Sequence, residues 1–128
     1  MRMLLDTHAL IWWSEQPEKL TPGIYAACHD PDNSLCLSIA SVWEMQIKAA
    51  KGKLVLRLPL EDIIAAQQRE NGIEILPVKL SHLWKLGELP PLHGDPFDRL
   101  LVAQAIAEDM FLVSADRVFS EYPARVLW

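Results

Sequence analysis

The sequence predicts an α/β domain built on a three-layer, doubly wound parallel sheet. Short strand-like apolar runs alternate with longer helix-like segments, and no long linker, low-complexity tract or internal repeat interrupts them. A helix between consecutive strands implies parallel pairing through right-handed crossovers, with helices covering the sheet. At 128 residues, about half of them hydrophobic, the chain suits one domain spanning residues 1–128. That length buries roughly two thirds of the unfolded surface.

The elements follow in order. Met1–Leu5 reads as a buried strand and Thr7–Glu15 as the helix after it. Pro17 and Pro22 mark a loop and then a helix start, with the helix near Gly23–His29. The turn-forming Asp30–Asn33 leads into a second strand, Ser34–Ser38. A helix over about Ala40–Ala50 stops near Gly52, and another over about Leu60–Glu70 ends at Asn71-Gly72. Ile73–Val78 is the third strand. A helix near Leu80–Leu89 precedes the proline-rich PPLHGDP. The segment FDRLLVAQAIAED is apolar on almost every side, as befits a central buried helix. Phe111–Ser114 is the fourth strand, and the terminal RVLW is a candidate fifth.

Composition narrows the function. A net charge of −5 argues against a general nucleic-acid coat protein, though not against a nucleic-acid enzyme whose acids hold metal. Cys28 and Cys36 form no CxxC pair and read as small buried apolar residues in a reduced cytosolic setting. Asp6 and His8 break any signal-peptide core, and no apolar run approaches the ~20 residues of a membrane helix. The expectation is a soluble cytoplasmic protein without membrane association.

In doubly wound folds ligands bind beyond the carboxyl ends of the strands. Four acids fall there: Asp6 directly after the first strand, Glu44 in the helix after the second, Asp98 in the first turn of the buried helix, and Asp116 after the fourth strand. Each has a local explanation. Asp6 can cap a helix, Ser41-Val-Trp-Glu44 matches a capping box, Asp98 suits the helix dipole, and Asp116 can serve a turn. Together they point elsewhere, because four carboxylates on one sheet edge repel. A hard divalent cation relieves that repulsion, and Mg²⁺ or its substitute Mn²⁺ prefers oxygen ligands with several waters retained. No His or Cys set suggests zinc. Acids holding Mg²⁺ are the usual equipment of phosphodiester hydrolysis. Arg99, a cation in a first helical turn, opposes the dipole and calls for a partner, either a neighbouring carboxylate or a substrate phosphate.

The segments LLDTHALIWW, SIASVWEMQIKAAKGKL, GDPFDRLLVAQA and LVSADRVF, in this order and spacing, resemble a PIN domain. More narrowly, they resemble the VapC-type toxins of bacterial type II toxin–antitoxin pairs. The resemblance implies a Mg²⁺-dependent endoribonuclease with an acidic groove, a homodimer, and a cognate antitoxin protein that covers the groove. It assigns Asp6, Glu44 and Asp98 as core acids and Asp116 as the fourth. Ser114 stands two residues before that acid, where threonine is commoner, and with Arg99 and Lys48 is a candidate substrate-binding residue. Asp95 is additional and reads as a helix cap.

Other residues have weaker claims. His8 and His93 lie near the acids and are read as packing or hydrogen-bonding residues, since metal-activated water needs no histidine base. Of the adjacent Trp12 and Trp13, one belongs in the core and the other suits an interface. Lys48, Lys51, Lys53 and Arg57 form the clearest basic stretch, which is either a solvated face or a track for RNA backbone. The rival readings are three. One is a PIN-domain RNA-processing nuclease without a toxin role. A haloacid-dehalogenase-type phosphatase needs a second Asp where His8 stands. A non-enzymatic receiver-like domain wants an acceptor Asp after the third strand, where the chain reads IEILPVKL.

Overall fold

A computed structural model describes residues 1–92 and 94–128; His93 lies outside the described residues. Five strands form one wholly parallel sheet, β1 (Arg2–Leu5), β2 (Ser34–Ser38), β3 (Glu74–Leu76), β4 (Phe111–Val113) and β5 (Val126–Leu127), in the order β3-β2-β1-β4-β5. Six helices connect or flank them: α1 (Thr7–Glu15), α2 (Pro22–His29), α3 (Ile39–Ala50), α4 (Leu60–Asn71), α5 (Leu80–Glu88) and α6 (Pro96–Ala107).

The central strands are buried on both faces, and the alternation of side chains divides the core in two. Met3, Leu5, Leu35, Leu37 and Val113 pack with Ala9, Leu10, Trp13, Ile24 and Met45, on the side of α1 and α2. Leu4, Cys36, Leu76 and Leu112 point the other way, toward Leu101, Val102, Ala105 and Phe119. Helix α6 buries Leu101 through Ala105 consecutively, which explains its all-round apolar sequence.

The boundaries differ from expectation where local chemistry intervenes. β3 is shorter than Ile73–Val78; it ends just before Pro77, which has no N–H to give to a ladder. Helix α3 starts at Ile39 because Ser38 caps it, its Oγ accepting from Ala40 N at 3.0 Å. Its end is set by Gly52 at φ +71°, with Gly52 N bonded to Ala49 O and Lys53 N to Lys48 O. This is the Schellman closure that glycine permits.

Both cysteines are buried free thiols, and burial pushes each thiol pKa up to about 11. Trp13 takes the core position, its indole donating to Gln67 Oε1 at 3.0 Å. Trp12 is half-buried between His8 and Trp128. Among the described residues no helix is long and apolar enough to cross a membrane.

Candidate active site

Strand order reverses direction beside β1, whose neighbours are β2 on one side and β4 on the other. The crevice beyond the carboxyl ends of β1 and β4 is therefore the topological switch point, where ligands settle in open α/β sheets. A small cleft of about 70 Å³ lies there, lined by Asp6, Thr7, His8, Glu44, Lys48, Asp95, Asp98, Asp116 and Phe119.

Asp6 follows β1 immediately and is 6% exposed. Its Oδ1 accepts from Ala9 N at 2.7 Å, capping α1, while its own N–H donates to Val113 O at 3.0 Å. The Ser114 hydroxyl donates to the same carboxylate. Burial raises the Asp6 pKa above its ordinary value, and the nearby Asp116 adds to the rise; the Ser114 and Ala9 hydrogen bonds and His8 oppose it. Asp6 is thus a cap and a cleft acid at once. A buried carboxylate gains from a cation beside it, which offsets the cost of desolvating its charge.

Ser114 sits fully buried at the end of β4 and connects two acids. It donates to Asp6 and accepts from Asp116 N at 3.0 Å. Asp116 itself caps the short 3₁₀ turn Arg117–Glu121, accepting from Val118 N at 3.0 Å.

Glu44 is only 5% exposed. The capping-box explanation fails for it, because Ser38 rather than Ser41 begins the helix. Instead, Thr7 Oγ1 donates to Glu44 Oε1 at 2.6 Å and Lys48 Nζ pairs with Oε2 at 2.9 Å. The sequence signal for Thr7 is slight: its place beside Asp6, at the first position of a helix aimed at the strand ends. Asp95 is the cap of α6, its Oδ1 accepting from Phe97 N at 2.9 Å and Asp98 N at 3.1 Å. That cap orients the first turn, so half-buried Asp98 faces the cleft.

Arg99 does not line the cleft. Its Nη1 donates to Pro90 O at 2.8 Å and to the Tyr122 hydroxyl at 3.3 Å, tying the loop before α6 to the C-terminal segment. His8 lines the cleft with its ring 5.9 Å from that of Trp12.

Five carboxylates thus share one recess with one lysine: Asp6 after β1, Glu44 on α3, Asp95 and Asp98 at the start of α6, and Asp116 after β4. Among the described residues no group of three or more His, Cys, Asp or Glu side chains is placed to hold a metal ion by itself. Mg²⁺ is commonly held by one or two carboxylates with several waters retained, whereas zinc takes a full set of protein ligands, usually His or Cys. The all-oxygen donor set fits Mg²⁺ or Mn²⁺ in kind.

Residues 3–125 match the PIN domain family model. The chain is 30% identical over 116 residues to ribonuclease VapC22 of Mycobacterium tuberculosis, covering 90% of this chain and 87% of that one. In fold it is similar to a chain of VapBC2 from Rickettsia felis, crystallised bound to a DNA fragment from their promoter. That likeness has a TM-score of 0.77 at 18% identity and covers 99% of this chain and 98% of the other. DNA-bound VapBC from Salmonella typhimurium gives a TM-score of 0.71 at 17% identity, over 99% and 97% of the two chains. The match over almost the whole length, on a sheet whose switch point gathers these carboxylates, establishes that the chain belongs to the PIN domain family, within its VapC group.

Proposed function

We propose that this protein is a metal-dependent endoribonuclease and the toxin of a type II toxin–antitoxin pair. The observation that carries the reading is the convergence of Asp6, Glu44, Asp98 and Asp116, contributed by four separate segments, on one cleft at the switch point of the sheet. The name of the Mycobacterium tuberculosis relative, a ribonuclease, and the VapBC complexes among the structural relatives support it.

Those four acids would hold one or two Mg²⁺ ions, with Mn²⁺ as substitute. The bound cation would supply charge stabilisation at the phosphodiester and a more acidic water. The chain's own residues do the rest. Thr7 and Lys48 fix the two oxygens of Glu44, so this carboxylate meets its ligand in one orientation. Ser114 fixes Asp6 relative to Asp116. Lys48 beside the acids gives an RNA phosphate a positive neighbour in an otherwise acidic recess. The partners are RNA as substrate, a second copy of the chain in a homodimer, and an antitoxin bringing a basic segment to the acidic cleft. The setting is the cytoplasm.

The test is cleavage of single-stranded RNA by purified protein with Mg²⁺ or Mn²⁺, and its arrest by EDTA. Cleavage that persists in EDTA, once contaminating nuclease is excluded, would remove the metal from the mechanism.

A further inference from the structure

The basic stretch of the sequence is divided by the structure. Arg57 leaves it: its Nε bonds Glu15 Oε2 at 2.6 Å and its Nη2 bonds Ser14 O at 3.3 Å. Lys48 is paired with Glu44. Among the described residues neither Lys51 nor Lys53 makes an ion pair. The Gly52 closure turns the chain back over the last turn of α3 and brings Lys53 beside Lys48 and Lys51.

These lysines line a second groove of about 250 Å³, which adjoins the acidic cleft and shares Glu44, Lys48 and Asp95 with it. Its other wall is Pro96 and Phe97. Trp43, 59% exposed, meets the Phe97 ring edge-on at 5.3 Å. Asp95, the one acid at the shared edge not read as a metal ligand, is engaged by the N–H groups of Phe97 and Asp98. Phe97, half-buried, lines the groove with Lys51 and Lys53, and exposed Trp43 extends the aromatic surface from its ring; lysines beside aromatic rings are the combination that binds single-stranded nucleic acid, with cations on the phosphates and rings against the bases. A solvated face would not need the aromatic wall, and a basic antitoxin segment would be repelled by the lysines.

We infer that this groove is a substrate subsite, holding a nucleotide of single-stranded RNA that flanks the scissile phosphate, with Lys51 and Lys53 on its backbone and Phe97 and Trp43 against its base. The inference rests on the ribonuclease reading and deepens it.

Steady-state cleavage of a labelled single-stranded RNA in Mg²⁺ tests it. In Lys51→Gln/Lys53→Gln, KM rises about tenfold with kcat nearly unchanged, since uniform binding is lost. The slope of log kcat/KM against log salt flattens by about 1.4, which is two phosphate contacts at roughly 0.7 each. Trp43→Ala raises KM by roughly tenfold and Trp43→Phe restores it, as stacking requires. Melting curves confirm that the variants are folded. If wild type cuts RNA and the lysine variants keep its KM and salt slope, the subsite is overturned while the ribonuclease reading stands. If wild type cuts no RNA with either metal, the ribonuclease reading itself falls, and the subsite with it. Poly-glutamate inhibiting more strongly than polyuridylate at equal charge would reassign the groove to an acidic protein segment.

Discussion

The Thr7 hydroxyl donates a 2.6 Å hydrogen bond to Glu44 Oε1, joining the first position of α1 to the middle of α3 across 37 residues of sequence. Both groups are buried. The bond orients a carboxylate that could otherwise rotate, and it satisfies a charge that burial makes costly.

Replacing Thr7 by Val keeps the shape and removes the donor. A buried acceptor that loses its partner costs about 1–3 kcal/mol. Thr7→Val is expected to lower stability in that range by urea denaturation, and to reduce RNA cleavage because Glu44 is then held by Lys48 alone. Thr7→Ser, which keeps the hydroxyl, restores most of both. A Val variant with wild-type stability and activity would show that the bond does not position Glu44.

This relationship also marks where the sequence is legible. Asp6 and Asp116 declare themselves because each follows an apolar strand, and their strand supplies their address. Asp95-Pro96 declares a helix start by side-chain chemistry alone, and the structure caps α6 there. Glu44 misleads, because the pattern Ser41-x-x-Glu44 is satisfied locally, whereas the helix begins at Ser38 and Glu44 takes its partner from another helix. Arg99 takes partners the sequence does not announce: its Nη1 donates to the Pro90 carbonyl and to the hydroxyl of Tyr122, 23 residues away. Periodicity reports which face of an element is apolar. It does not report what meets that face.

His82 is a second case invisible in the sequence. It is fully buried on α5, and its Nδ1 accepts from Lys79 N at 3.0 Å, which leaves the Nε2 proton to donate to Glu108 Oε1 at 2.9 Å. That donation, with help from Lys79, holds the Glu108 pKa below its ordinary value of 4.5. A depressed carboxylate pKa adds stability above the unfolded value and loses it as pH falls through the folded one. Glu108→Gln is therefore expected to be less stable than wild type at pH 7, by about 1 kcal/mol. The gap should narrow as pH falls below the ordinary glutamate range. Denaturant midpoints for both proteins across that range check it; a gap that stays constant would mean that charge plays no part.

Asp98 tests metal against cap. Asp95 accepts the N–H groups of Phe97 and Asp98 at the start of α6, and the local alternative for Asp98 is its favourable place in the first turn of the helix. Asp98→Asn should leave the protein folded and abolish RNA cleavage. Mg²⁺ at a hundredfold excess over its dissociation constant would stabilise wild type by about 2.7 kcal/mol, and the variant should lose most of that gain. Melting temperatures with and without Mg²⁺ read it directly. An unchanged Mg²⁺ shift in the variant removes Asp98 from the metal site.

Asp6 carries the last prediction, which concerns the metal-free protein. Its carboxylate is buried beneath the ends of β1 and β4, and desolvation, with the field of Asp116, raises its pKa above the ordinary value of 3.8. Ser114 and Ala9 offset part of that rise but do not reverse it. A raised carboxylate pKa means that the folded state binds its proton more tightly than the unfolded chain does. Stability therefore falls as pH rises from 3.8 through the folded value, and the penalty is fully present above it. Asn at position 6 can still accept from Ala9 N, since Asn caps helices as well as Asp does, and it carries no charge to desolvate. Asp6→Asn is thus expected to melt above wild type at neutral pH without metal, and the difference should shrink toward zero as pH is lowered past 3.8. Added Mn²⁺ at neutral pH should reverse the order, because a cation stabilises the charged cleft of wild type and gains less from the amide. If the metal-free variant melts lower than wild type at neutral pH, the donors around Asp6 outweigh its desolvation, and the cleft is not strained toward a cation.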